Sequence, residues 1–346
     1  MKQPKPEYHI TLNGRDLTTK ISPDLISLSL SESRGDEADT LDIVVDDSKG
    51  RLLIPQRGDM LRVAFGWSNT GVVDKGTFTI DEIEHSGAPD ILTVRARSAS
   101  MTKEMSERRE TSWHAQTIGA IVRKIADRHK LKPAIGDALA QILISHIDQT
   151  HESDMSFLTR LSKRYDAVMN VKDSNLLFMP IGHGTSASGK KLASIELTRA
   201  SGDQHRYHIS EREKYAGVRA HYHGAGRKKR ESVLVGGENN HSIKVLPETY
   251  ANRDDALAAA TAEFNRTKRS QATMSYTLAL GRPDLYPEIP VYLSGFNKPE
   301  IDDESWLAKK VRHELSDGGY TTALELETRD DPTTDRHRSH FRKNPK

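Results

Sequence analysis

The 346-residue chain carries 51 basic and 49 acidic side chains, a formal net charge of +2 and 35% hydrophobic residues, with a mean hydropathy of −0.66. At roughly 150 residues per domain this length implies two or three units, and the near balance of charge argues against a dedicated, sequence-specific nucleic-acid binder. The absence of cysteine excludes disulfides, thiolate nucleophiles and cysteine-based zinc or iron–sulfur sites. No window approaches the ~20 apolar residues of a membrane span, and MKQPKPEYHI lacks the apolar core of a signal peptide, so cytoplasmic synthesis without membrane binding is expected.

Residues 8–100 read as β throughout. Tyr8–Asn13 runs into the turn residue Gly14, and Leu17–Ile21 follows. Leu25–Leu30 alternates, with Ile26, Leu28 and Leu30 on one face and Ser27 and Ser29 on the other; Leu41, Ile43 and Val45 repeat the period. Met60–Phe65, Gly76–Ile83 and Ile91–Arg97 come next, separated by breaks at Gly66–Gly71 and Ser86–Asp90. About seven short strands at this spacing predict a barrel or a sandwich.

From residue 101 the character changes. Ile118, Ile121, Val122 and Ile125 fall at i, i+3, i+4 and i+7, which predicts an amphipathic helix starting between Ser112 and Thr117. Lys132-Pro133 stops it. A helical turn over Asp137–Gln141 and the apolar run Ile142–Ile147 lead into His146–Pro180. There Ser153 is expected to cap a helix with Asp154 in its first turn. Phe157, Leu158, Leu161 and Tyr165 share one face of that helix; Arg160, Lys163 and Arg164 take the other. Ala167–Val171 and Leu176–Met179 read as strands joined by the turn Asp173-Ser174-Asn175. Gly182–Lys190 has flexible linker composition.

Residues 191–330 return to β, with strands expected at Ser194–Arg199, Gln204–Ile209, Gly217–Tyr222 and Ser232–Val235. Ile243–Leu246 leads to a helix capped by Asn252, with Asp255 three residues on, and with Ala256, Leu257, Ala260 and Phe264 as its buried stripe. Ala272–Leu280 sets Met274, Tyr276, Leu278 and Leu280 against Thr273, Ser275 and Thr277. Ile289–Leu293, Ser305–Leu315 and Tyr320–Glu327 complete the set, the last two joined by Asp317-Gly318-Gly319. The fold class is β-rich α+β. Residues 1–103 form a first β unit, 104–181 a small α/β insert, 182–330 a second β unit with one helix, and 331–346 a basic tail expected to be disordered.

Three separated segments carry a family likeness: VVDKGTFTIDEIEHSG (Val72–Gly87), HIDQTHESDMSFLTRLSKRY (His146–Tyr165) and VRHELSDGGYTTALELE (Val311–Glu327). In this order they resemble the phage late control gene D protein family, the baseplate hubs of contractile phage tails and R-type pyocin-like particles, related to the N-terminal hub part of VgrG. The resemblance implies two tube-type β-barrel domains flanking the insert. It also implies a pseudo-six-fold homotrimer joining a hexameric tail tube to a trimeric central spike. Its partners would be further copies of itself, the spike, the tail tube protein, other baseplate proteins and the tape measure. The role implied is structural, in a virion or headless particle, with no enzyme activity and no cofactor. No sequence repeat links the two β regions, so their duplication rests on the resemblance alone. The alternatives are the hub half of a type VI secretion-type spike and a baseplate-associated hydrolase.

Catalytic patterns are absent from the sequence: there is no Gly-x-Ser-x-Gly elbow, His-Glu-x-x-His or Walker loop. Asp46-Asp47, Asp302-Asp303-Glu304 and Asp330-Asp331 fall in expected loops or ends, where acidic clusters are ordinarily solvated, so no catalytic residue is assigned. His221 and His223 share a strand face, and a metal there would need a third ligand such as His205, His208 or Glu211. An exposed strand face is the preferred reading, and no metal or cofactor residue is assigned. The partner-contact candidates are Trp67, in a loop where an exposed indole suits an interface, and the basic tip Arg227, Lys228, Lys229 and Arg230. The plainer alternatives are an indole folded back on its barrel and a solvated turn.

Overall fold

The structure is a computed structural model that describes residues 4–35, 37–98, 103–172, 174–182, 192–210, 215–224, 230–237 and 242–329. Alternating apolar residues build a first β region of seven strands: β1 (Pro6–Leu12), β2 (Arg15–Asp16), β3 (Leu25–Ser33), β4 (Thr40–Asp46), β5 (Met60–Trp67), β6 (Gly71–Ser86) and β7 (Ile91–Ser98). Their inward side chains, among them Leu28, Leu30, Leu41, Ile43, Val63 and Phe78, form one core. Two details depart from the sequence pattern. Leu17–Ile21 is not extended but contains a helical turn, α1 (Thr18–Ile21), because the Asp16 carboxylate accepts the Thr18 amide at 2.7 Å and turns the chain. Ile26 does not share the face of Leu28 and Leu30, because β3 bulges between Leu25 and Ser27, which shifts the phase and leaves Ile26 exposed.

The middle region contains β8 (Arg108–Thr117), α2 (Ile118–Arg128), β9 (Lys132–Ile135), α3 (Asp137–Ala140), β10 (Leu143–Ser153), α4 (Asp154–Arg164), β11 (Ala167–Lys172) and β12 (Asn175–Pro180). The helix starts follow their caps: Thr117 accepts the Ala120 amide and Ser153 the Ser156 amide. Ile121, Val122 and Ile125 of α2 and Phe157, Leu158 and Leu161 of α4 close a second core over Met169, Val171 and Phe178. Strand β8 has no counterpart in the sequence reading. Trp113 is its buried hydrophobic residue, so a period of two is invisible there, and antiparallel pairing with β10 holds it extended.

The last region runs through β13 (Ile195–Thr198), β14 (Gly202–Ile209), β15 (Gly217–His223), β16 (Arg230–Gly236), β17 (Ile243–Tyr250), α5 (Arg253–Ser270), β18 (Ala272–Leu278), β19 (Pro290–Ser294), α6 (Pro299–Asp302), β20 (Ser305–Ser316) and β21 (Gly319–Thr328). Strands β16-β15-β17 make a three-stranded sheet of their own. Helix α5, capped by Asn252, covers it, with Ala256, Ala259 and Ala260 packed on Val218, Ala220 and Tyr250. Small side chains set this approach. Leu257, one residue on and so roughly 100° around the helix from Ala256, is exposed rather than part of the stripe. Leu280 is exposed as well, beyond the end of β18.

The remaining strands join the first region in one thirteen-stranded sheet, in the order β14-β18-β21-β20-β3-β4-β7-β6-β5-β1-β2, with β19 on β20 and β13 on β19. The junction is antiparallel pairing of β3 with β20, from Ser33 opposite Lys310 to Ser27 opposite Ser316. The protein is thus β-rich, with several sheets and few helices. Two six-strand arrays lie on either side of the junction, β3-β4-β7-β6-β5-β1 and β14-β18-β21-β20-β19-β13. Each has its own core. They differ at the outermost pair, antiparallel for β1 and β5, parallel for β13 and β19.

Candidate functional site

Trp67 closes β5 and is half-buried. Its indole Nε1 donates to the Gly281 carbonyl at 2.8 Å and its ring centroid lies 5.5 Å from that of Tyr320, so the side chain bridges the two arrays. Arg227, Lys228 and Lys229 lie outside the described residues, as do Glu211, the linker from 183, and the tail from 330. Arg230 is exposed at the start of β16, opposite His223. His221 and His223 stand on β15, whereas His205 and His208 stand on β14 of the large sheet. Among the described residues, no three His, Asp or Glu side chains are grouped to hold a metal ion. Two residues of the acidic clusters are structural rather than solvated. Asp47 accepts the amides of Arg51 and Leu52 at 3.0 and 3.1 Å, and Asp302 those of Phe296 and Asn297 at 3.1 and 2.8 Å.

The densest polar chemistry lies where the regions meet. Glu32 of β3, Lys75 of β6 and His313 of β20 are all buried. The Lys75 ammonium has three donors and three acceptors in reach: Glu32 Oε2 at 2.8 Å, the Leu285 carbonyl at 3.0 Å and His313 Nε2 at 3.1 Å. His313 Nε2 also lies 3.3 Å from the Leu285 carbonyl and 3.5 Å from Glu32, and its Nδ1 faces Thr322 Oγ1 and the Tyr320 hydroxyl at 3.0 Å each. Burial pushes the imidazole below its ordinary value, against the pull of Glu32, in keeping with a neutral ring. Burial also lowers Lys75, opposed by Glu32. Burial alone would raise Glu32, but His313, Lys75 and Lys172 together hold its carboxyl well below the usual range. Lys172 of β11 brings the middle region in, 3.1 Å from Glu32 and 3.9 Å from Asp39.

A second cluster ties the same regions from the other side. Arg269 at the end of α5 makes a two-pronged contact with Asp166 at 2.7 and 2.5 Å and reaches Glu327 of β21 at 3.0 Å. Arg34 pairs with Glu327 and with Glu288, and Glu288 accepts the Gly182 amide at 2.8 Å. Burial raises Glu288 despite Arg34. These side chains sit beside a cleft of about 550 Å³ that Lys163 and Lys310 also line. A third cluster lies inside the middle region. Asp154, expected only to favour the helix dipole, is fully buried and receives Arg128 at 2.8 Å, His129 at 2.7 Å and Gln149 at 2.9 Å.

Each carboxylate in these clusters is committed to a cation or an amide. The chemistry this permits is cohesion between regions: a buried pair is costly to break because the remaining charge has nowhere to go. Sequence reasoning missed Glu32, His313, Lys75, Arg34, Arg269, Glu288 and Glu327. A signal existed for two of them. Glu32 continues the inward phase of Leu28 and Leu30, and His313 that of Val311 and Leu315.

The family model for the phage tail baseplate hub (GPD) matches residues 58–319. The "Probable baseplate hub protein" of Escherichia phage 186 is 41% identical, with 94% of this chain and 93% of that protein covered. Its counterpart in Escherichia phage P2 gives the same figures. Among solved structures, a prophage MuSo2 43 kDa tail protein from Shewanella oneidensis shares the fold at a TM-score of 0.69 and 14% identity, over 93% of this chain and 98% of that one. An E. coli type VI secretion system component shares it at 0.55 and 15% identity, over 89% and 74%. With a family model over most of its length and two relatives at this identity, the chain belongs to the phage tail baseplate hub family.

Proposed function

We propose that this chain is the structural hub of a contractile tail, a homotrimer that joins the hexameric tail tube to the trimeric central spike. The observation that carries the reading is the repeated strand order. One chain supplies two arrays of six strands, welded by β3 and β20, so three chains supply six, the number a six-fold tube needs. On this reading residues 1–103 and the large-sheet strands of 182–330 are two tube-type barrels. The insert 104–181 faces outwards or towards the baseplate. Other baseplate proteins and the tape measure are further partners. The chain is made in the bacterial cytoplasm and built into the particle, and it transmits load rather than performing chemistry. The buried ionic clusters support this, because they lock the regions against one another through paired charges. Native mass spectrometry of the protein mixed with the spike protein encoded beside it tests the reading. A complex of three copies of each is expected; a monomer indifferent to the spike overturns it.

A further inference from the structure

The two arrays agree in register as well as in order. On β6 a bulge falls between Ile80 and Glu82, opposite Ala96 and Arg95 of β7. On β20 it falls between Ala308 and Lys310, opposite Leu326 and Glu325 of β21. Superposing the bulges makes Ile80 equivalent to Ala308. The backbone repeats the match. Ile80 N donates to Asp59 O at 2.9 Å and Gly58 N to Ile80 O at 2.8 Å; Ala308 N donates to Ile289 O at 3.1 Å and Glu288 N to Ala308 O at 2.8 Å. The other flank agrees too. β3 bulges between Leu25 and Ser27, and β14 between Gly202 and Gln204, which makes Leu30 equivalent to Tyr207. Thus β6 corresponds to β20 and β3 to β14.

Within the chain, the far half of β20 is paired by β3. The equivalent half of β6, residues 81–86, pairs with β7 on one side, and its other side has no strand among the described residues, because pairing with β5 ends at Thr79. Among the described residues β14 likewise pairs with β18 alone. Each chain therefore keeps one half of a joint that it has already made once, and bare edges of this kind recruit strands. We propose that β14 of one copy pairs antiparallel with residues 81–86 of β6 in the next copy, in the register that β3 and β20 use within the chain. The inference rests on the homotrimer reading and supplies its joint.

The transferred register sets Ile83 opposite Ile209, Glu84 opposite His208, His85 opposite Tyr207 and Ser86 opposite Arg206. This pairing covers the exposed Ile209. It also brings a strand carrying His205, Arg206 and His208 against one carrying Asp81, Glu82 and Glu84. Glu82 and Glu84 already meet Arg95 but remain exposed, as a rim that receives a basic strand requires. A head-to-tail joint closes into a ring when its rotation divides the circle. Three copies then alternate three internal joints with three between copies.

The chain has no cysteine, so a disulfide reports the joint directly. The double variant Glu84→Cys with His208→Cys, oxidised at native concentration, is expected to run mainly as a covalent trimer and no larger on a non-reducing gel. Glu84→Cys with Asp203→Cys, out of register, is expected to stay uncrosslinked. Hydrogen exchange on the unaltered protein needs no variant to fold: amides in 81–86 and 203–209 should slow about tenfold or more on assembly. A trimeric mass with no crosslink and no protection overturns this joint while leaving the hub reading intact. A protein that stays monomeric with the spike present overturns both.

Discussion

Lys75 and Glu32 meet at 2.8 Å with both side chains almost wholly out of solvent, although their strands β6 and β3 are separated by β4 and β7 in the sheet. Contact between non-neighbouring strands means that the first array curls until its inner faces touch. The Leu285 carbonyl and His313, from the other array, complete the ammonium's shell. One lysine thus reports on both the curvature of one array and its docking on the other.

Replacing Lys75 with Met leaves Glu32 buried with only Lys172 and His313 beside it. We expect a loss of roughly 3–5 kcal/mol, the usual cost of stranding a buried charge, measured by urea unfolding. The double variant Lys75→Met with Glu32→Gln should recover more than half of that loss. No recovery would mean that the pair is not coupled as described.

Asp39 gives a pH signature. Burial raises its carboxyl to about 6, against Lys172 and the Ser33 amide, so the folded protein holds a proton that the unfolded chain releases near pH 4. The stability from that proton is complete below the unfolded value and is lost as pH rises through about 6. Asp39→Asn keeps the neutral form throughout. Relative to the parent it should gain roughly 2–3 kcal/mol between pH 4 and pH 8, followed by unfolding at each pH. Glu32, held low, and His313, lowered by burial, titrate in both proteins and cancel in the difference. A pH-independent difference would contradict the assignment.

Arg269→Ala removes the bond between α5, the middle region and β21 in one step. A loss of roughly 3 kcal/mol is expected, with faster protease cleavage around 253–270 than in the parent. Unchanged cleavage would show that this cluster does not hold the helix.

Trp67→Phe keeps the ring against Tyr320 but deletes the donor to Gly281. A loss of about 1 kcal/mol follows, the net worth of one hydrogen bond, and native mass should be unchanged. A change of assembly state would instead place the indole at an interface.

Much of the fold was legible because its elements announce themselves locally. The caps Ser153 and Asn252, the i, i+3, i+4 stripe of α2 and the strands of the first array all carry periodic or capping signals. What escaped depends on partners distant in sequence. Strand β8 is held by β10, and Ile26 leaves the core through a bulge set by pairing with β4. The separate sheet β16-β15-β17 exists because α5 covers it, and nothing in its strand pattern distinguishes it from the large sheet. The repeated register of the two arrays is likewise backbone information: Ala308 stands where Ile80 does and Tyr207 where Leu30 does, so no run of identical residues betrays it. Of the ionic clusters only Glu32 and His313 were visible, as ionisable residues in inward phase.

The proposed function puts three copies of this chain between tube and spike. Cryo-electron microscopy of assembled tail particles measures it directly. One ring of three chains, with six strand arrays in near six-fold order, is expected at the spike end of the tube. Six copies in that ring, or a chain located away from the junction of tube and spike, would contradict it.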